Sequence, residues 1–259
     1  MQAQTEGPLD NDGCILETRN LVKEFQGFVA VSDVNLRVRR GSIHGLIGPN
    51  GAGKTTVFNL LTKFTTPTRG TIWLKGEDIT RYRPAEIARL GVVRSFQISA
   101  VFPHLTVLEN VRIGLQRRLK TSFHFWESES RLSTLDERAL QLLAQVGLES
   151  SAGMLAVELP YGRKRALEIA TTLALDPEVL LLDEPTQGLG HEDVERVKNL
   201  IRSLAANRTV LMVEHNMNVV SDLCSVITVL QRGVVLAEGS YAEISSNPQV
   251  LEAYMGVKS

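Results

Sequence analysis

Residues Gly48 to Thr56 read GPNGAGKTT and satisfy G-x-x-x-x-G-K-[ST], a spacing suited to holding phosphate. Gly48, Gly51 and Gly53 let backbone N–H groups close around an anion, with Asn50 and Ala52 completing the loop, and the positive end of the following helix adds to the attraction. Lys54 is expected to reach β- and γ-phosphates, and the Thr55 hydroxyl, followed by Thr56, to hold Mg²⁺. The bland reading, a chance glycine-rich turn, is disfavoured because an apolar strand, SIHGLIG, precedes the loop and a helical run, KTTVFNLLTKF, follows it. A second element, VLLLDEP from Val179 to Pro185, carries two carboxylates out of a buried strand. Asp183 is placed to bind Mg²⁺, directly or through water, and Glu184 to polarise an attacking water. Alone this run would read as a strand ending in a solvated acidic turn. Beside a phosphate loop it reads as chemistry.

These groups must be held by strands alternating with helices. ILETRNLVKEF and VSDVNLRVRR alternate apolar and polar residues, as half-buried antiparallel strands do. TIWL and VVRSF read as strands, and PAEIARLG as a short helix with proline at its start and glycine at its end. From Leu108 to about Leu155 the pattern is helical, with a ragged middle at KTSFHFWESES. Beyond it come the helix RALEIATTLAL, the strand VLLLD, the helix EDVERVKNLIRSLAA and the strand TVLMV. The expected fold class is α/β: a P-loop NTPase with a mainly parallel sheet core, an antiparallel β subdomain and an inserted helical lobe. The expected division is a loose tail over 1–13, core over 14–96, helical lobe over 97–160, core again over 161–238 and a helical tail over 239–259.

The bulk numbers narrow the class. The chain has 259 residues, 43% of them hydrophobic and 22% charged, with a formal net charge of -1. No broad basic field argues for nucleic acid. Cys14 and Cys224 are far apart and lack metal-ligand spacing, so both read as free thiols in a reducing compartment. No apolar run approaches the length of a bilayer span, and the polar start MQAQTEGPLDNDG lacks the regions of a signal peptide.

The order of the remaining pieces resembles the ATP-binding subunits of ABC transporters, from about Ile15 onward. GPNGAGKTTVFNLLT, GVVRSFQ, LTVLENV, LEIA, LLLDEPTQGL and the C-terminal EGSYAEISSNPQVLEAYMG are similar to the branch that serves branched-chain amino acid importers. The resemblance implies further roles. Gln97 matches the glutamine loop, which senses γ-phosphate and metal, and its alternative is a polar loop residue. His215, in LMVEHNM, matches the switch histidine that contacts the γ-phosphate. Phe25 matches the aromatic that stacks on adenine, against core packing as the alternative. His44 reads as a core or flanking residue.

Two departures stand out. Where the family has L-S-G-G-Q, this chain has Leu159, Pro160, Tyr161, Gly162 and Arg163. In an assembled pair that motif meets the partner's ATP. Pro160 offers neither hydroxyl nor N–H, and Tyr161 narrows the backbone approach that glycine permits. Arg163 carries a charge toward the same helix start and either substitutes in part or is solvated. Where the family's D-loop usually has aspartate, this chain has Gly190, then His191.

The resemblance implies ATP and Mg²⁺ as cofactors. The implied partners are a second ATPase subunit (a heterodimer rather than a homodimer), two transmembrane permease subunits and, indirectly, a periplasmic binding protein, with no nucleic acid. The implied place is the cytoplasmic side of the inner membrane, as a peripheral subunit. The implied substrates are branched-chain or other hydrophobic amino acids, with urea or short amides as the alternative. A soluble ATPase acting on nucleic acid or ribosomes fits less well, because there is one P-loop and no long coiled-coil insertion. A regulatory subunit without turnover is disfavoured by the full set Lys54, Thr55, Gln97, Asp183, Glu184 and His215. The segment Arg117 to Glu129 mixes basic and aromatic residues and reads either as a surface loop or as a contact with a membrane subunit or lipid headgroups.

Overall fold

The computed structural model describes residues 13–95, 101–116 and 129–255. Contacts divide the chain into two compact units, one taking the chain up to Ile87 and from Cys224 onward, the other Ala88–Leu223.

In the first unit the alternating runs become β1 (Cys14–Phe25), β2 (Phe28–Val34) and β3 (Arg37–Arg39). After them come β4 (Ile43–Ile47), α1 (Lys54–Leu61), β5 (Arg69–Leu74), β6 (Glu77–Asp78) and α2 (Pro84–Arg89). The order β2-β1-β5-β6, with β3 also on β1, makes an antiparallel sheet whose core is Leu16, Leu21, Val31, Val34 and Ile72. VSDVNLRVRR, expected as one strand, is split. The buried Thr18 hydroxyl donates to the Val34 carbonyl and accepts from the Leu36 N–H, both at 2.9 Å, filling the gap in the ladder. The break lets Leu36 bury fully while Arg37 and Arg39 stay exposed.

The second unit opens with β7 (Val92–Arg94), α3 (Val107–Gln116) and α4 (Glu129–Gln145), then 3-10 turns at Glu149–Ser151 and Ala156–Glu158. Thr106 and Glu109 cap the start of α3 reciprocally, side chain to backbone in both directions. Buried Asn110 then ties the preceding turn through the Phe102 N–H and carbonyl. Next come α5 (Tyr161–Leu173), β8 (Val179–Asp183), α6 (His191–Ala205), β9 (Thr209–Val213) and α7 (Met217–Leu223). β8 pairs in parallel with β9 and β7, and every residue of β8 and β9 is buried, as expected of strands covered on both faces.

The chain then returns to the first unit with β10 (Val226–Gln231), β11 (Val234–Gly239), α8 (Tyr241–Ser246) and α9 (Pro248–Met255). β10 runs parallel to β4 and antiparallel to β11. Arg232 and Gly233, with φ of 48° and 82°, form the tight turn between them.

Candidate functional site

The glycine-rich loop Gly48 to Thr56 lies in the first unit. β4 is buried throughout and runs into Gly48, whose φ is 150°. A Cβ there would lie 2.1 Å from the Leu230 carbonyl oxygen, so the loop closes against β10 only with glycine. Gly53, φ 104°, begins α1 against the Ala30 carbonyl, 2.7 Å from where a Cβ would lie. The first turn of α1 has no capping side chain and no acidic residue, which leaves its positive end to an anion. Lys54 is buried and its Nζ donates to the Gly48 and Pro49 carbonyls at 2.7 and 3.0 Å, arched over the loop. These features fit a nucleotide polyphosphate.

Phe25 ends β1 and is 44% exposed, with the Lys23 ammonium 4.8 Å from its ring centre. Core packing is therefore not its role. Phe28, paired with it across the turn and 68% exposed, was not singled out in the sequence, although FQGF contains both rings. Tyr254 of α9, a further exposed aromatic of the first unit, was likewise not singled out in the sequence. Tyr254 is 40% exposed, and what burial it has raises its phenol pKa, with the Gly48 backbone acting in the opposite direction. His44 is core: buried, held at 2.8 Å from the Thr228 hydroxyl, its imidazole lowered to about 4 by burial.

Asp183, Glu184 and His215 lie in the second unit. β8 delivers Asp183, buried, to an ion pair with Arg94 at the end of β7. A carboxylate oxygen at a strand end is the type of donor that a hard cation takes. Glu184 follows in the left-handed region at φ 48°, its N–H donating 2.9 Å to the Val213 carbonyl. Strain of this kind, on a residue without glycine's freedom, is held by the surrounding bonds. Its Oε1 lies 2.9 Å from His215 Nε2. Two residues proposed from sequence for hydrolysis, 31 positions apart, are thus in direct contact. Gln97 lies outside the described residues, as does most of the Arg117 to Glu129 segment. Among the described residues no cluster of three or more histidine, cysteine or acidic side chains could hold a metal.

A family model described as "ABC transporter" matches residues 31–187. The chain belongs to the ABC transporter family. A second model, "Branched-chain amino acid ATP-binding cassette transporter", matches residues 234–258. The chain is 41% identical, over 93% of its length and 98% of the relative's, to the high-affinity branched-chain amino acid transport ATP-binding protein BraF of Pseudomonas aeruginosa. It is 36% identical to the probable branched-chain amino acid transport ATP-binding protein LivG of Archaeoglobus fulgidus, covering 94% of this chain and 96% of that one. A crystal structure of an ABC transporter cassette in its ADP conformation superposes with a TM-score of 0.83 at 31% identity, covering 94% of this chain and 99% of that one. The fold is that of an ABC cassette, and the activity is ATP hydrolysis coupled to transport.

The segment Leu159 to Arg163 makes several contacts with its neighbours. Leu159 is buried, and Pro160 caps α5 at φ −56°, where a missing N–H costs nothing. Tyr161 is exposed, its hydroxyl 3.4 Å from the Gln187 carbonyl and 3.3 Å from the Arg165 guanidinium. Gly162 sits against the Asp193 carboxylate, 2.4 Å from where a Cβ would lie. Arg163 is exposed, as the solvated alternative expects, and one guanidinium nitrogen donates at 3.0 Å to the Ser151 hydroxyl. Gly190 is the N-cap of α6 in extended backbone and makes no side-chain bond there. Among the described residues no helix is long and apolar enough to cross a membrane. ABC importer cassettes work with transmembrane permeases, and this chain is a transport subunit of that kind.

Proposed function

We propose that this chain is the catalytically competent cassette of an importer for branched-chain or other hydrophobic amino acids. The observation that carries the substrate is the near full-length similarity to curated ATP-binding proteins of branched-chain amino acid transport, supported by the separate match of the C-terminal tail. ATP supplies the phosphoanhydride whose hydrolysis drives the cycle, and Mg²⁺ neutralises charge on the phosphates. The P-loop, Gly48 to Thr56, and Lys54 hold the phosphates, while Phe25 stacks on adenine. Thr55 and Asp183 serve Mg²⁺, with Gln97 sensing the metal and γ-phosphate. Glu184 polarises the attacking water and His215 orients it and contacts the γ-phosphate.

The partner is a second, different cassette. Leu159, Pro160, Tyr161, Gly162 and Arg163 face that partner's ATP, where Pro160 has no hydroxyl to offer. One competent site and one slow site follow, which favours a heterodimer. The pair docks on two permease subunits at the cytoplasmic face of the inner membrane, fed by a periplasmic binding protein. Closure of the pair on ATP moves the permease, and hydrolysis releases it.

The test of substrate is uptake of radiolabelled leucine, isoleucine and valine, against urea and acetamide, into vesicles holding the complete transporter and its binding protein. ATP-dependent uptake of the amino acids is expected. Uptake of urea or acetamide alone would replace this reading.

A further inference from the structure

The two oxygens of the Glu214 carboxylate are shared between two loops of the second unit. Oε1 accepts from the Thr186 N–H at 2.9 Å and from the Thr186 hydroxyl. Oε2 accepts from the His215 N–H at 2.9 Å and the Asn216 N–H at 3.1 Å. Glu214 is 3% exposed and Thr186 is also buried. Three of the four donors are backbone N–H groups that would otherwise be orphaned at the end of β9 and just beyond β8. Charge-assisted bonds to both oxygens offset the cost of burying the charge.

We infer that Glu214 is a positioning residue that locks the backbone beyond Glu184 to the loop carrying His215, so that the two reactive side chains keep their register during hydrolysis. The bonds form a closed circuit. Glu184 touches His215 through side chains at 2.9 Å, and the His215 backbone is held by Glu214. Glu214 holds Thr186, two residues after Glu184, and the Glu184 N–H is fixed to Val213 beside Glu214. The strained φ of Glu184 gives the circuit a reason: a left-handed glutamate keeps its direction only while both flanks are pinned. A filler at this position would be apolar. A carboxylate with both oxygens engaged on separate loops is a clasp.

The inference rests on the reading that Glu184 and His215 serve ATP hydrolysis. The experiment uses the assembled transporter and reads nucleotide affinity and turnover separately. Glu214→Gln is isosteric but sets an amide N–H₂ against two of the four donors. ATP affinity is expected to stay within about threefold, because the P-loop is untouched. Turnover is expected to fall about 10- to 100-fold through misplacement of the reacting groups. Adding His215→Ala to Glu214→Gln is expected to cost far less than the product of the single losses, since both disrupt one unit. Thr186→Ser, which keeps the hydroxyl, is expected to stay near full rate, whereas Thr186→Val is expected to lose turnover without losing affinity. Should Glu214→Gln not fold, the Thr186 pair decides alone. Normal turnover in Glu214→Gln, multiplicative losses with His215→Ala, or equal rates for Thr186→Ser and Thr186→Val would overturn the clasp. Glu184→Gln separates the two levels: if it leaves turnover intact, the reading of the site has failed. If it stops turnover while Glu214→Gln does not, only the clasp has failed.

Discussion

His44 converts burial into a pH dependence that can be measured. Its Nε2 lies 2.8 Å from the Thr228 hydroxyl, which itself donates at 2.6 Å to Glu238. With the threonine hydrogen spent on Glu238, the imidazole is the donor in its bond with Thr228. Burial lowers its pKa from 6.5 to about 4. The unfolded chain therefore binds a proton that the folded chain refuses between those values. Stability from this residue is complete above pH 6.5 and is lost as the pH falls toward 4. The loss comes to about 2 kcal/mol at pH 5 and about 3 kcal/mol at pH 4. His44→Gln keeps a donor near the position of Nε2 and cannot take up a proton in this range. Urea unfolding of both proteins at pH 7, 6, 5 and 4 isolates the effect, because every other titrating group is common to both. The stability difference should move in favour of His44→Gln by about 2 kcal/mol between pH 7 and pH 5. Parallel stability curves, or an imidazole that titrates near 6.5 by NMR, would refute the argument.

Lys54→Ala should weaken ATP binding by about 10- to 100-fold, as expected for losing hydrogen bonds from a charged donor to phosphate, read by direct titration. Unchanged affinity would remove the P-loop assignment. Phe25→Ala should weaken ATP and GTP alike, by about three- to tenfold, because stacking ignores the base edge. A loss confined to ATP would mean that the base edge is read elsewhere. Gly48→Ala should lower stability by about 1–3 kcal/mol, from the positive φ and the backbone oxygen in its path, and a thermal scan with an unshifted midpoint would contradict this.

What was legible in the sequence was what consecutive residues can state. Gly48 to Thr56 is one loop, VLLLDEP is one strand end, and their local order already specifies phosphate and carboxylate chemistry. The order of strands and helices was readable for the same reason. The hairpin of β10 and β11 was not, because Arg232-Gly233 is a weaker turn signal than Asn-Gly or Asp-Gly. The break between β2 and β3 was hidden because apolar alternation continues across it, and the residue that resolves it, Thr18, lies on another strand. Arg94 and Glu214 act through partners distant in sequence: Asp183 and Thr186. Glu214 left one trace, a charged residue directly after the apolar run VLMV. The direction of Arg163, toward Ser151, depends on how the turn Glu149–Ser151 packs, and no pattern in LPYGR announces it.

Under the proposed pairing of two unlike cassettes, this chain's own P-loop and Glu184 drive transport, while its altered signature, Pro160 and Tyr161, slows only the partner's ATP. The most direct measurement compares ATP-driven amino acid uptake by the complete transporter carrying Glu184→Gln with uptake when the equivalent glutamate of the partner cassette is changed. Glu184→Gln should stop uptake almost completely, by about 10²- to 10⁴-fold, and the partner's change should be much milder. Equal losses from the two changes, or rapid ATP turnover by this chain purified alone, would contradict it.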